Sequence, residues 1–162
     1  RHFEDNYVLD TSDLSVRNSG CLLRVRIISS ADRKSCVRTQ GILTFKGTLQ
    51  IHDGLRNREE IECIVNPPET FLKIFERLGY SLKFRYQKYR TIYSIEQMQI
   101  HICVDETPIQ NYFELEGPAE EIHEIAAKLG YSRVEYITES LDQLYYQWCK
   151  ERGIESSNLV FE

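Results

Sequence analysis

Cys21-Leu22-Leu23-Arg24-Val25-Arg26-Ile27-Ile28 alternates at a spacing of two, with Arg24 and Arg26 on one side and Cys21, Leu23, Val25 and Ile27 on the other. Successive side chains of a β-strand point to opposite faces, so the stretch reads as a strand with one apolar and one doubly cationic face. An ordinary half-exposed strand carries Thr, Ser, Gln and Lys on its wet side in no set order. Two guanidinium groups side by side repel each other, and within a protein an uncompensated ion costs several kcal/mol.

The pattern recurs in both directions along the chain. Leu43-Thr44-Phe45-Lys46-Gly47 sets Lys46 opposite Leu43 and Phe45, and Arg58, Glu60 and Glu62 share a face opposed by Ile61, Cys63 and Val65. Lys88 and Arg90 share another, with Arg85 and Gln87 opposite. Asp105 is opposed by Ile100, Ile102 and Val104, and Glu114 and Glu116 flank Leu115. These faces hold six basic residues (Arg24, Arg26, Lys46, Arg58, Lys88, Arg90) and five acidic ones (Glu60, Glu62, Asp105, Glu114, Glu116), mostly as same-sign pairs. Any single strand of this kind reads as the wet face of a half-buried sheet. Six together weaken that reading, because basic pairs suit a polyanion and acidic pairs a divalent cation.

Around these segments, strands are expected at Asn6 to Leu9, Cys21 to Ser29, Val37 to Thr48, Glu59 to Val65, Leu82 to Tyr93, Met98 to Asp105 and Tyr112 to Glu116. Ala31 to Ser35 reads as a hairpin connection, and the stretch with Asp53-Gly54 and Arg56-Asn57 as a mobile loop. Pro67-Pro68 opens a helix to Leu78, with Phe71, Ile74, Phe75 and Leu78 on one stripe and Gly79 to end it. Pro118 starts a second helix that ends at Gly130, and Ser140-Leu141-Asp142-Gln143 is a capping box for a third that stops near Gly153. Leu78-Gly79-Tyr80-Ser81 and Leu129-Gly130-Tyr131-Ser132 repeat one text, which reads either as a duplicated helix-then-strand unit or as two independent helix ends. Residues 154–162 read as a frayed tail after one domain spanning 1–153.

Three amphipathic helices need the apolar strand faces, so the charged faces turn away from them, to solvent or toward one another. The expected fold is therefore α+β: an antiparallel β-barrel with a charged interior and helices packed outside. A chain of 162 residues, 41% hydrophobic and 28% charged, supports one domain with one sizeable core. Its formal net charge of -5 argues against a broad nucleic-acid surface and makes any polyanion site local. No apolar run approaches the roughly 18 residues of a membrane span. Five cysteines with no CxxC spacing suit reduced thiols in a cytoplasmic protein. The histidines, His2, His52, His101 and His123, form no cluster and read as structural or exposed.

The motifs resemble the CYTH superfamily of triphosphate tunnel metalloenzymes, which includes class IV adenylate cyclases, thiamine triphosphatases and inorganic tripolyphosphatases. The resemblance runs over about residues 3–146. It is carried by Asp10-Thr11-Ser12-Asp13, Cys21-Leu22-Leu23-Arg24-Val25-Arg26, Leu43-Thr44-Phe45-Lys46-Gly47, Arg58-Glu59-Glu60-Ile61-Glu62, Lys88-Tyr89-Arg90, Val104-Asp105-Glu106-Thr107-Pro108 and Phe113-Glu114-Leu115-Glu116-Gly117. It implies that Arg24, Arg26, Lys46, Arg58, Lys88 and Arg90 grip phosphate oxygens. It also implies that Glu60, Glu62, Asp105, Glu114 and Glu116 hold Mg2+ or Mn2+ and orient water, with Lys88, Arg90 and Glu60 at the reacting centre. The family's N-terminal Glu-x-Glu-x-Lys strand has no counterpart in these residues, and it and a helix are expected upstream of Arg1. Gln110 stands where a glycine is common and Leu141 where a tyrosine is, which bears on substrate fit.

Three functions follow as expectations: a metal-dependent phosphohydrolase of tripolyphosphate or an organic triphosphate, a class IV-type adenylate cyclase, or a non-catalytic polyphosphate-binding module. Phe84, Tyr86, Ile92 and Tyr112 read equally as a base pocket or as barrel filler. The expected partner is a triphosphate-bearing small molecule or inorganic polyphosphate, with no membrane or nucleic acid, and self-association into a homodimer is a further expectation.

Overall fold

The computed structural model describes residues 1–30 and 40–162. Along them run β1 (His2–Asp10), α1 (Ser15–Asn18), β2 (Leu22–Ser30), β3 (Gln40–Lys46), β4 (Gln50–His52), β5 (Leu55–Asn57) and β6 (Glu60–Val65). Then follow α2 (Pro68–Arg77), β7 (Ser81–Ser94), β8 (His101–Glu106), β9 (Asn111–Glu116), α3 (Ala119–Lys128), a 3-10 turn (Arg133–Glu135) and α4 (Leu141–Arg152). The hairpin connection expected at 31–35 and the strand start expected at 37 lie outside the described residues. Both long early helices begin behind a proline, and α4 begins with the Ser140 and Gln143 capping box.

Seven strands make one antiparallel sheet in the order β6-β3-β2-β1-β7-β8-β9. Mixed α+β architecture is as expected, but the closed barrel is not: β6 and β9 are edges, and no strand pairing joins them among the described residues. Closure of a barrel needs those edges hydrogen-bonded. The stretch expected to be a mobile loop is the β4–β5 hairpin, turned by Asp53 (φ 52°) and Gly54 (φ 75°), whose left-handed backbone suits a two-residue hairpin turn. Asp53 pairs with Arg133 and stands 3.1 Å from His123 Nε2, while Arg56 donates to the Glu139 carbonyl at 3.3 Å. A hairpin just before β6 is thus fastened to elements that follow β9.

The apolar face carries α2, and its close approach depends on Gly41: a Cβ there would stand 2.6 Å from the Cβ of Pro68. The repeated Leu-Gly-Tyr-Ser text encodes a helix end and nothing beyond it. Tyr80 N–H bonds to the Phe75 carbonyl and Tyr131 N–H to the Ala126 carbonyl, with Gly79 and Gly130 both at φ 90°. After Ser81 the chain enters β7, but after Ser132 it enters the 3-10 turn and forms no strand of the sheet.

Two further expectations are corrected by packing. Not every helix lies outside, because α4 covers one end of the charged face: Tyr145 stacks on Phe84 at 6.0 Å, and Tyr145, Cys149 and Leu159 form a core against Phe84 and Tyr86. Nor does the tail fray. Where β8 stops pairing with β7, Leu159 takes the open edge: Gln87 N–H donates to its carbonyl at 2.8 Å and its own N–H donates to the Arg85 carbonyl at 2.9 Å. Beyond it Phe161 packs on Tyr89, with ring centroids 5.3 Å apart. Leu159-Val160-Phe161 is a three-residue apolar run after a polar stretch, too short for a periodicity to mark the segment.

Candidate anion and metal site

Strand register decides which charges meet. Lys46 lies opposite Glu60 and Thr44 opposite Glu62, while Arg24 pairs with Thr44. Val8 lies between Arg24 and Phe84, Asn6 between Arg26 and Tyr86, and Glu4 opposite Lys88. Farther on, Arg90 opposes Asp105, Cys103 opposes Glu114, and His101 opposes Glu116. Directly opposed residues point to the same face. Ten of the eleven expected site residues therefore share one face, and Arg58 joins them from the link between β5 and β6, its Nε 3.9 Å from Glu60.

The face divides into two walls. On the basic wall, formed by β2, β3 and β6, Arg24 donates to the Tyr86 hydroxyl at 3.1 Å and to Thr44 Oγ1 at 3.2 Å, and Thr44 donates to Glu62 at 2.7 Å. Arg26 donates to Asn6 Oδ1 at 2.9 Å and Lys46 to Glu60 at 2.6 Å. Buried Arg24 Nε has no hydrogen-bond partner among the described residues. Burial and the neighbouring Arg24 cation lower the pKa of Lys46, and burial and Arg56 lower that of Arg58. Nearby carboxylates do not fully offset these two cations. Such a wall can take an anion.

On the acidic wall, formed by β7, β8 and β9, Arg90 grips Asp105 through two hydrogen bonds of 2.7 Å and reaches Glu116 at 3.1 Å and Glu114. Lys88 donates to Asp105 at 2.6 Å. Burial pushes Arg90 down, but Asp105, Glu114 and Glu4 outweigh it and hold the guanidinium far above its ordinary value. Burial would raise the Glu114 carboxyl; Lys88, Arg90 and the Asp105 hydrogen bond bring it down to about 2. Cys103 faces the same wall with its thiol pushed up to about 11 by burial, which leaves it unreactive.

Between the walls lies β1, whose part in the site the sequence reading missed. Glu4 is 1% exposed, 2.9 Å from His2 Nε2, 3.3 Å from Arg26 and 3.7 Å from Lys88. Burial opposes its charge, yet His2, Lys88, Arg26 and Arg90 hold the carboxyl well below the usual range. Asn6 and Thr44 were missed as well, and Tyr86, expected as a base pocket or barrel filler, instead accepts a hydrogen bond from Arg24. Burial raises the Tyr86 hydroxyl, but Arg24, Lys88 and Arg26 pull it below an ordinary phenol. The signal was present, since His2, Glu4, Asn6 and Val8 alternate with Phe3, Asp5, Tyr7 and Leu9. Starting the strand at Asn6 hid it.

The carboxylates lie in two groups, Glu60 with Glu62 near one edge of the sheet and Asp105, Glu114 and Glu116 near the other. Among the described residues no three His, Cys, Asp or Glu side chains converge on one metal position. The four glutamates have side chains 43 to 52% exposed, so their oxygens remain open to a ligand. An all-carboxylate donor set suits Mg2+ or Mn2+, and Mg2+ commonly takes one or two carboxylates and completes its shell with phosphate oxygens and water. The residues fit that role.

Similar folds occur in solved structures. A candidate adenylate cyclase of Vibrio parahaemolyticus is 16% identical, with a TM-score of 0.71, covering 88% of this chain and 79% of that one. A Pyrococcus horikoshii protein whose name assigns no activity is 20% identical, with a TM-score of 0.72 and coverage of 93% and 84%. A candidate adenylyl cyclase of Hippeastrum, described as having a dominant triphosphatase activity, is 14% identical, with a TM-score of 0.64 and coverage of 96% and 84%. At these identities the likeness shows the fold. No curated protein matches the sequence. No helix among the described residues is long and apolar enough to cross a membrane. The family model for the CYTH domain matches residues 1–146, and the chain therefore belongs to the CYTH domain family.

Proposed function

We propose that the chain is a divalent-metal-dependent triphosphatase acting on tripolyphosphate or an organic triphosphate. The observation that carries this reading is the division of one sheet face into an under-neutralised basic wall and an acidic wall. Arg24, Arg26, Lys46 and Arg58 would bind the phosphate chain, as cations that match charge spread over several oxygens. Lys88 and Arg90, held by Asp105, would meet the phosphoryl group nearest the acidic wall. Glu60 and Glu62, with Asp105, Glu114 and Glu116, would hold Mg2+ or Mn2+. When bound, the metal supplies Lewis-acid neutralisation of phosphoryl oxygens and a more acidic water. The chain's own part is to fix the phosphates in line and to keep the cations aimed.

Hydrolysis is favoured over cyclisation by the fate of the aromatic residues. Of the four candidates for a base pocket, Phe84 and Tyr86 are packed beneath Tyr145 and Leu159, and the Tyr86 hydroxyl is bound to Arg24. This packing leaves less of either ring for an adenine to stack on.

The test is incubation with tripolyphosphate, ATP and thiamine triphosphate, with Mg2+, with Mn2+ and with EDTA. Orthophosphate with metal, and binding without turnover in EDTA, is the expected result. Cyclic AMP from ATP would replace this reading with the cyclase, and metal-independent binding with no product under any condition would leave a binding module.

A further inference from the structure

Glu4 is a costly residue to place where it is. Its carboxylate is 1% exposed, and Oε2 has no hydrogen-bond partner among the described residues although it lies 3.7 Å from Lys88 Nζ. A buried ion left short of a hydrogen bond lowers stability. Each neighbouring cation also has a hydrogen-bond partner other than Glu4, Asn6 for Arg26 Nε and Asp105 for Lys88. Glu4 puts a negative charge near a cation of each wall, Arg26 on β2 and Lys88 on β7, from the strand between them.

We propose that Glu4 is a positioning residue that ties Arg26 and Lys88 to one anchor and, by its charge, holds down the groove's grip on a bare triphosphate. The proposal deepens the triphosphatase reading and rests on it for its kinetic part. A negative charge beneath a cationic floor weakens binding of any polyanion. Weaker ground-state binding does not slow a reaction whose transition state is bound through correctly aimed cations, and fixed cations are what an in-line displacement requires. Asn6 in the same position of the strand pattern is neutral and ties Arg26 only to Tyr86 through its amide, so it cannot replace the charge.

The experiment uses the full chain with Glu4→Gln and Glu4→Asp. Calorimetric binding of tripolyphosphate in EDTA should be about tenfold tighter for Glu4→Gln, as loss of one charge at close range predicts, while kcat with Mn2+ falls about tenfold or more. Glu4→Asp keeps the charge and should bind as the native chain does, with kcat only partly recovered. A residue that merely supports the fold would lower affinity and kcat together. Independently of any activity, nitrogen NMR of the Arg26 Nε–H and Lys88 ammonium groups should shift for both residues in Glu4→Gln, and in Glu4→Asp where the first variant does not fold. Unchanged or weaker anion binding in Glu4→Gln, or a shift confined to one residue or neither, would overturn the proposal. A native chain that neither binds nor hydrolyses tripolyphosphate would sink the triphosphatase reading instead, and the two NMR signals would still decide whether Glu4 ties the walls.

Discussion

The two walls of the charged face are built from the same residue types and reach opposite electrostatic ends. On the acidic wall, two buried cations face three carboxylates, and Arg90 is satisfied by Asp105, Glu114 and Glu116. On the basic wall, Arg24, Lys46 and Arg58 share Glu60 and Glu62 while Arg26 turns to Glu4, Arg24 Nε lacks a hydrogen-bond partner among the described residues, and Lys46 and Arg58 lose protons more readily than usual. A wall whose charges already cancel contributes mainly to holding the fold. One left with excess charge can hold a ligand, and under the proposed function that difference would put most of the phosphate chain on β2, β3 and β6.

The largest expected effect lies on the neutralised side. Arg90→Met leaves buried Asp105 with Lys88 alone and should lower stability by roughly 3–5 kcal/mol in urea unfolding, as breaking a buried ion pair does. Lys46→Met should change stability by less than about 1 kcal/mol, since its pair with Glu60 is partly exposed, yet raise KM for tripolyphosphate about tenfold, equivalent to about 1.4 kcal/mol. Equal losses of stability in the two variants would erase the distinction between the walls.

Acid sharpens it further. Glu114 titrates at about 2 in the folded chain against an ordinary 4.5. For a carboxyl with a depressed pKa, the stabilisation is complete above the unfolded value and is lost as pH falls toward the folded one. Thermal midpoints should therefore stay level down to about pH 5 and fall from there toward about pH 2, and Glu114→Gln should remove part of that fall. Added salt should have the smallest effect: weaker tripolyphosphate binding with little change in the urea midpoint, because a ligand's charges are screened more than buried pairs are.

Much of this was legible because a period of two survives in the text. Arg24 with Arg26, Glu60 with Glu62, and Glu114 with Glu116 announced both their strands and their shared face. Legibility failed where the alternation was not charged against apolar. His2, Glu4 and Asn6 face Phe3, Asp5 and Tyr7, polar residues lie on both sides, and the central strand is five residues longer than its legible part, four of them at its start. The β4–β5 hairpin was taken for a loop although Asp53-Gly54 is a hairpin turn, because its strands are only three residues each. Tail docking was invisible for another reason: Leu159 is held by backbone bonds to β7, which depend on β8 ending early and not on anything local to residues 154–162.

The most direct test of the central claim is a tripolyphosphate titration in EDTA, followed by Mg2+, monitored by NMR of the arginine Nε–H and lysine ammonium groups. The account predicts that Arg24, Arg26, Lys46 and Arg58 respond to the anion first, with Arg90 moving only after the metal is added. Early movement of Arg90, or a response at Arg85 on the opposite face without one at Arg24 and Lys46, would contradict it.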